Sequence, residues 1–221
     1  MADRDHHSQS ADDMRTLPRP GSKRSPGGPG SSPVIAPDEQ RSLLELARVA
    51  LAVAVGRASF SVLDWALERT PLGDEPGAVF VTLTEGGRLR GCIGSLRPER
   101  NLRVAVVAST LGAAQDDPRF APVTAEELPA IQIGISVLGP STPIGAADVF
   151  EPGVDGVIVE KGARRGLLLP EVATEFSWGA TEMFEAVCRK AGLPAGSWRE
   201  PGTRLRSFRT VRFGGPALMT H

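Results

Sequence analysis

The chain of 221 residues is long enough for one folded domain with a smaller second lobe. Its 25 basic and 26 acidic side chains give a formal net charge of −1, so no global charge attracts it to nucleic acid or to an anionic membrane. No apolar run approaches the roughly 18 residues that cross a bilayer, and the polar N-terminus does not resemble a secretory signal, so the sequence predicts a cytoplasmic protein without membrane attachment.

Residues 1–37 are predicted to form a disordered tail. Most positions between Leu17 and Pro37 are Pro, Gly or Ser, and no aromatic residue appears before Phe60. Such a segment buries too little apolar surface to offset the conformational entropy that ordering would cost. The folded domain is therefore expected to span residues 38–215.

Helical and strand patterns alternate through the rest of the chain. Apolar residues recur at helical spacing over residues 38–55, with Asp38 as the expected N-cap. The elements predicted after it are two strands around a turn at Glu85–Gly87, a helix capped by Asn101, a strand over 131–138, a hairpin turning at Gly162, a helix over 182–191 and a strand over 205–213. Because helices and hairpins interleave without a regular βαβ rhythm, the predicted class is α+β, with a mainly antiparallel sheet flanked by helices.

The residue types that are missing limit the chemistry of the predicted domain. The only histidines are His6, His7 and His221, outside that domain, which argues against histidine-dependent triads and histidine-ligated metals. Two cysteines are too few for an iron–sulfur cluster, and the chain has no dinucleotide-binding or phosphate-cradling glycine motif. We therefore predict no metal site and no bound cofactor.

The stretch GRLRGCIGSL places a cysteine between two glycines. In a regular strand its side chains would alternate between two faces, with Arg90, Cys92 and Gly94 on one and Leu89, Gly91 and Ile93 on the other. The glycines would let a ligand or another backbone approach, and a cation at Arg90 would favour the nucleophilic thiolate. Three interpretations stay open for Cys92: a nucleophilic or redox thiol, part of a binding groove, or a packed core residue. Cys188, on an apolar helix face, is predicted to lie in the core.

A second candidate lies in DDPRF, where Pro118 stiffens a turn after a predicted helix. Asp116 and Asp117 are candidates for a general base or for binding a divalent cation. The alternative is a structural turn in which Asp117 caps the backbone and Arg119 pairs with an acid. Glu171, after Pro170, is a candidate for the wall of a cleft.

Four motifs resemble one known family in their order and spacing. LRGCIGSL resembles the LRGCIG signature of the AMMECR family, and it is followed by DDPRF, LLPEVA and CRKAGLPAGSW. Glu171 departs from the family pattern, which commonly has glutamine there. The resemblance implies a two-lobed α+β domain in which the LRGCIG strand lines a surface cleft. Prokaryotic members are called AmmeMemoRadiSam system protein A, which implies association with a Memo-like protein and a radical S-adenosylmethionine enzyme.

Two functions from different classes follow from these observations. The first is a partner or adaptor module that presents the LRGCIG cleft to other proteins, including the Memo-like and radical enzymes. The alternative is a small enzyme with Cys92 as nucleophile or redox thiol and Arg90 as the cation beside it. The cleft is predicted to be lined by Leu89, Arg90, Gly91, Cys92, Ile93, Gly94, Asp116, Asp117, Arg119 and Glu171.

Overall fold

The structure of the protein is a computed structural model that describes residues 30–71, 76–96, 100–145 and 149–215. Its elements in chain order are α1 (Pro37–Ala54), α2 (Phe60–Arg69), β1 (Ala78–Glu85), β2 (Arg88–Ser95), α3 (Leu102–Gln115), β3 (Ile131–Leu138), β4 (Thr142–Ile144), β5 (Gly156–Lys161), β6 (Arg164–Leu168), α4 (Glu171–Phe176), α5 (Ala180–Lys190), a 3-10 helix (Ala195–Arg199), β7 (Arg204–Phe208) and β8 (Thr210–Gly214). No helix within these ranges is both long enough and apolar enough to span a membrane.

The strands form two four-stranded sheets, and all neighbouring strands are antiparallel. The first sheet has the order β2-β1-β3-β8 and the second has the order β4-β7-β5-β6. With helices packed on both sheets, the predicted α+β class is confirmed. We refer to the first sheet with α1, α2 and α3 as the first lobe, and to the second sheet with α4 and α5 as the second lobe.

The core of the first lobe lies between its sheet and the helices α1 and α3. Alternate residues of β1, namely Val79, Val81 and Leu83, are all at most 1% exposed and point into this core. Burying a side chain of this size contributes about 1.5–3 kcal/mol, so the alternating pattern accounts for the orientation of the sheet. Ile35 belongs to the same core, which therefore begins before the expected boundary at residue 38. The expected disorder of residues 1–29 lies outside the described residues.

Helix α1 begins one residue earlier than its periodicity suggested. Ala36 is the N-cap, Pro37 occupies the first turn, and the carboxylate of Glu39 accepts the N–H of Ala36 at 2.9 Å. The prediction that Asp38 caps this helix is wrong, because proline already fits the first helical position and Glu39 satisfies the backbone before it. Asn101 does cap α3 as predicted, accepting the N–H of Val104 at 3.0 Å.

The second lobe has its own core between α5 and one face of its sheet. Phe184 is fully buried, and its ring packs edge-on against Phe150 and Trp198 at centroid distances of 5.0 and 5.1 Å. Cys188 is also fully buried there, which confirms its predicted core position, and desolvation raises the pKa of its thiol. A third cluster joins the two sheets through the core residues Ala78, Leu138, Ile158, Leu167 and Phe208.

The predicted strand over 205–213 is wrong as a single element. It is divided at Arg209 into β7, which pairs in the second sheet, and β8, which pairs in the first. Arg209 stabilises this crossing, since its Nε donates to Asp155 at 3.1 Å and its carbonyl accepts the N–H of Gly139 at 2.8 Å. An alternating pattern does not show which partner each half of a strand selects.

Candidate functional site

The LRGCIG segment forms strand β2, at the edge of the first sheet, with one irregularity. The β1–β2 turn uses Gly86 and Gly87 at positive φ, as the predicted hairpin requires. Leu83 pairs with Gly91, but Thr84 pairs with Leu89, so Arg90 is the extra residue of a β-bulge. The bulge interrupts the alternation of side chains, so the prediction that Arg90 and Cys92 share one regular face is wrong. The prediction that Leu89 shares the face of Gly91 is also wrong, because Leu89 pairs with Thr84.

Arg90 is bound within the first lobe, away from the thiol. Its Nε donates to Glu127 at 2.6 Å, and its two terminal nitrogens donate to the carbonyls of Ala121 and Pro122 at 2.8 and 3.2 Å. The hydrogen bond from Arg90 lowers the pKa of Glu127 to about 2, and the same bond raises the pKa of Arg90. Arg90 thus connects the bulge to the segment that leads into β3.

The two glycines beside the cysteine accommodate other parts of the protein. A Cβ on Gly91 would lie 2.1 Å from the carbonyl oxygen of Ala113 in α3. A Cβ on Gly94 would lie 2.3 Å from the carbonyl oxygen of Val79 and 2.5 Å from the ring of Phe80. Both positions need glycine because helix α3 and an aromatic ring occupy the space that a side chain would fill.

The DDPRF turn after α3 holds the outer edge of β2 at Cys92. Asp117 is 5% exposed, and its Oδ2 accepts the N–H of Cys92 at 2.8 Å. Its carboxylate also accepts the N–H, Nε and Nη2 of Arg119 at 3.1, 2.9 and 2.7 Å, while Nη2 of Arg119 reaches the carbonyl oxygen of Cys92 at 3.4 Å. We call this arrangement of Asp117, Arg119 and Cys92 the edge clamp.

The edge clamp determines the charge state of its carboxylate. The hydrogen bond from the Arg119 side chain, supported by the N–H of Cys92, holds the pKa of Asp117 well below its usual range against the opposing effect of burial. The same pairing with Asp117 raises the pKa of Arg119. An ionised carboxylate with four donors is a poor general base, and the Cys92 N–H it accepts is not free to stabilise an oxyanion.

Cys92 is partly buried, and its Sγ lies 3.4 Å from the hydroxyl oxygen of Thr82. The Arg119 side chain lies beside the same residue, with Nη2 3.4 Å from the Cys92 carbonyl oxygen, and Cys92 contributes to raising the pKa of Arg119. We call Thr82, Cys92 and Arg119 the Cys92 patch. The cation beside Cys92 is therefore Arg119 of the turn, in place of the predicted Arg90.

Lys190, at the end of α5, is a basic residue that the sequence did not connect with Cys92. It lies on the second lobe, where α5 packs so closely over β6 that a Cβ on Gly166 would be 2.7 Å from the carbonyl oxygen of Val187. Lys190 is exposed as a residue, yet desolvation of its ammonium group lowers its pKa. The interaction with Cys92 opposes this lowering of the pKa, and the charge of Arg119 adds to it. The only sequence signal was a basic last turn in the predicted helix, which is common in helices that end in solvent.

The other predicted site residues lie at different positions. Asp116 is exposed beside the edge clamp, and Ile93 packs into the first core. Glu171 begins α4 and pairs with Arg212 of β8, Oε1 to Nε at 3.8 Å, so it links the second lobe to the first sheet. Among the described residues, no group of three or more His, Cys, Asp or Glu side chains is arranged to hold a metal ion.

Comparisons with known proteins agree with this architecture. The AMMECR1 family model matches residues 44–213. A protein of Methanothermobacter thermautotrophicus is 41% identical over 183 residues, covering 80% of this chain and 94% of its own. Protein TK0174 of Thermococcus kodakarensis is 40% identical over 149 residues, covering 63% of this chain and 72% of its own. The crystal structure of the uncharacterized protein PH0010 from Pyrococcus horikoshii superposes with a TM-score of 0.71 at 32% identity, covering 85% of this chain and 96% of that one.

Proposed function

This chain belongs to the AMMECR1 family, and from that membership and its site geometry we propose that it is a partner module, with the Cys92 patch lining a cleft between the lobes. The observation that carries the proposal is the edge clamp. Asp117 and Arg119 bind both backbone groups of Cys92 on the open side of β2, so the motif strand presents a fixed surface. A surface that is already ordered loses little conformational entropy on binding, which favours recognition of another protein.

The residues that catalysis would need are largely used in internal contacts. Arg90 is bound to Glu127 and two carbonyls, and Asp117 accepts four hydrogen bonds. The basic C-terminal strands are similar, since Arg206 donates to Ser141 and Arg209 to Asp155, which gives no support to nucleic-acid binding. These contacts favour a binding role over an acid–base role for the motifs.

The partners that we propose are a Memo-like protein and a radical S-adenosylmethionine enzyme. This assignment comes from the AmmeMemoRadiSam association of the prokaryotic members that the chain resembles. Both cysteines are free thiols, Cys92 half-buried and Cys188 buried, which fits a reducing compartment such as the cytoplasm.

Protection of Cys92 from alkylation tests the partner role. The full chain is mixed with a purified Memo-like protein from the same organism, and the alkylation of each cysteine by iodoacetamide is followed by mass spectrometry. If the partner covers the cleft, we expect a saturating amount to slow the alkylation of Cys92 about tenfold, because the partly buried residue becomes fully covered. Cys188 is the internal control, since it is already fully buried.

Two results would count against this proposal. A complex that forms without protecting Cys92 would place the contact on another surface. The absence of a complex with both the Memo-like protein and the radical enzyme, in gel filtration at micromolar concentration, would remove the partner role itself.

A second candidate is a cysteine-dependent enzyme, and the surroundings of the thiol favour it. Arg119 lies beside Cys92, and positive charge beside a thiol favours the nucleophilic thiolate.

The rate of Cys92 alkylation against pH tests this second candidate. If Cys92 is an activated nucleophile, it is alkylated between about pH 6 and pH 7 at least about tenfold faster than free glutathione, because the thiolate is the reacting form. A rate no higher than that of glutathione, or as low as that of Cys188 at every pH, would remove the nucleophile.

A further inference from the structure

An open cavity of about 470 Å³ lies in the second lobe, beside the end of β4. Strand β4 pairs with β7 over only three residues, Thr142–Ile144 with residues 205–207, and the cavity lies where this pairing stops. Four large apolar side chains contribute to its lining, namely Ile144, Phe184, Trp198 and Leu205. Pockets that bind small molecules have volumes of about 300–1,000 Å³ and combine apolar walls with a few polar groups, so this cavity has a suitable size.

Two residues that line the cavity each bury a polar atom without a partner. Nε1 of Trp198 and the hydroxyl oxygen of Thr203 make no hydrogen bond among the described residues. The Trp198 ring is in contact on other sides, edge-on with Phe184 at 5.1 Å and with the guanidinium of Arg199 at 3.9 Å from its centroid. Because it is unfavourable to bury a polar group without a partner, a ligand that offers a hydrogen-bond acceptor here would stabilise this wall.

Arg199 gives the cavity an unpaired positive charge. Within the described residues, no carboxylate or carbonyl accepts a hydrogen bond from its guanidinium, and the residue is exposed. Glu200, the neighbouring acid, is engaged by Lys161, whose hydrogen bond lowers the pKa of the Glu200 carboxyl. A guanidinium that stacks on an aromatic ring keeps its N–H groups available at its edge, and their planar arrangement matches a carboxylate.

A larger depression of about 530 Å³, at the turn between β5 and β6, lacks these properties. Its two cations are used by the chain itself, since Lys161 donates to Glu200 and Arg164 donates to the carbonyl oxygen of Gly192. None of the side chains that line it has a buried polar atom without a partner. The smaller cavity at Trp198 is therefore the better candidate for a ligand site.

We propose that the cavity at Trp198 binds a small organic acid, with the carboxylate at Arg199 and the apolar part of the ligand against Ile144 and Leu205. Because Nε1 of Trp198 is buried, a small rotation of the ring brings this N–H to an oxygen of the bound acid. The site uses no residue of the edge clamp, so it is independent of the proposed partner role.

The indole N–H signal of Trp198 reports this binding directly. The chain has three tryptophans, so a proton–nitrogen correlation spectrum of the full chain contains three indole signals, and Trp198→Phe identifies one of them. Phenylacetate is the probe, and phenylacetamide is its neutral counterpart. We expect phenylacetate to move the Trp198 signal downfield in a saturable way, while the signals of Trp65 and Trp178 stay in place. It should bind at least about tenfold more tightly than phenylacetamide, because the amide loses the charged hydrogen bond to Arg199.

The Arg199→Gln variant gives the decisive comparison. We expect it to weaken the binding of phenylacetate at least about tenfold, since the charged donor is removed. Arg189→Gln is the matched control, because the guanidinium of Arg189 pairs with Glu185 outside the cavity, and this variant should bind phenylacetate as the wild type does.

Four results would overturn the proposal. The first is equal affinity for phenylacetate and phenylacetamide, and the second is an equal loss of affinity in the two arginine variants. The third is the absence of a saturable shift of the Trp198 signal with both phenylacetate and hexanoate at millimolar concentrations, because the cavity has room for a ring or for a straight chain. The fourth is binding of acetate or inorganic phosphate as tight as that of phenylacetate, which would show a general anion site without a role for the apolar walls.

Discussion

Replacing Gly91 with alanine should destabilise the protein by about 3 kcal/mol, the largest effect that we expect from one added methyl group at any glycine that the structure describes. The added Cβ would lie 2.1 Å from the carbonyl oxygen of Ala113, and neither atom belongs to a flexible side chain. Helix α3 must therefore move away from β2, which opens the first core at Ile93 and Val106. The measurement is the free energy of unfolding from urea titration of the full chain.

Gly196→Ala is the matched control for this experiment. Gly196 lies in the 3-10 helix, its φ is not positive, and a Cβ there would meet no atom within 4 Å. We expect its free energy of unfolding to stay within about 0.5 kcal/mol of the wild type. Equal stability of the two variants would show that α3 does not contact β2 as closely as described.

Asp117→Ala should destabilise the protein by about 2–3 kcal/mol. The change removes the carboxylate that accepts four hydrogen bonds from Cys92 and Arg119. It leaves the N–H of Cys92 unpaired beside the half-exposed guanidinium of Arg119. Asp116→Ala, at the exposed neighbouring position, should cost less than about 0.5 kcal/mol. Urea unfolding of both variants measures the difference, and a similar loss in each would contradict the edge clamp.

The contribution of Asp117 should also depend on pH in a definite direction. Its pKa is lowered in the folded protein, so it stabilises the fold fully above its unfolded pKa of about 4, and this stabilisation decreases as pH falls toward the folded value. The difference in unfolding free energy between wild type and Asp117→Ala should therefore be constant from pH 7 to about pH 5 and narrow between about pH 4 and pH 2. A difference that widens with acid would contradict an ionised, hydrogen-bonded carboxylate.

Gly91→Ala and Asp117→Ala change two motifs, LRGCIG and DDPRF, that form one structural unit. Gly91 lets α3 approach β2, and the turn that follows α3 then returns Asp117 and Arg119 to the edge of the same strand. LRGCIG and DDPRF are therefore complementary parts of a single arrangement that holds Cys92 between a hydroxyl and a cation. Their proposed value for function is a rigid strand edge that presents the partly buried Cys92 beside the guanidinium of Arg119.

Local patterns in the sequence determined most of the secondary structure. The alternation over 131–138, the glycine turns at Gly86 and Gly162, and the Asn101 cap each depend on a few neighbouring residues, and all are present in the structure. The core position of Cys188 followed from helical periodicity in the same way. The four family motifs were also visible without coordinates and led to the family, and the interleaving of helices and hairpins led to the α+β class.

Tertiary structure decided everything that depends on which segments meet. Pairing with β1 produces the bulge that removes Arg90 from the face of Cys92, and competition between two sheets divides the last strand at Arg209. Asp117 and Arg119 come to the backbone of Cys92 from the turn after α3, because α3 packs on β2. Periodicity and propensity report the local preference of each residue. Strand register and long-range electrostatics arise only when the sheets pack against their helices, and so the Cys92 patch could not be predicted from the sequence alone.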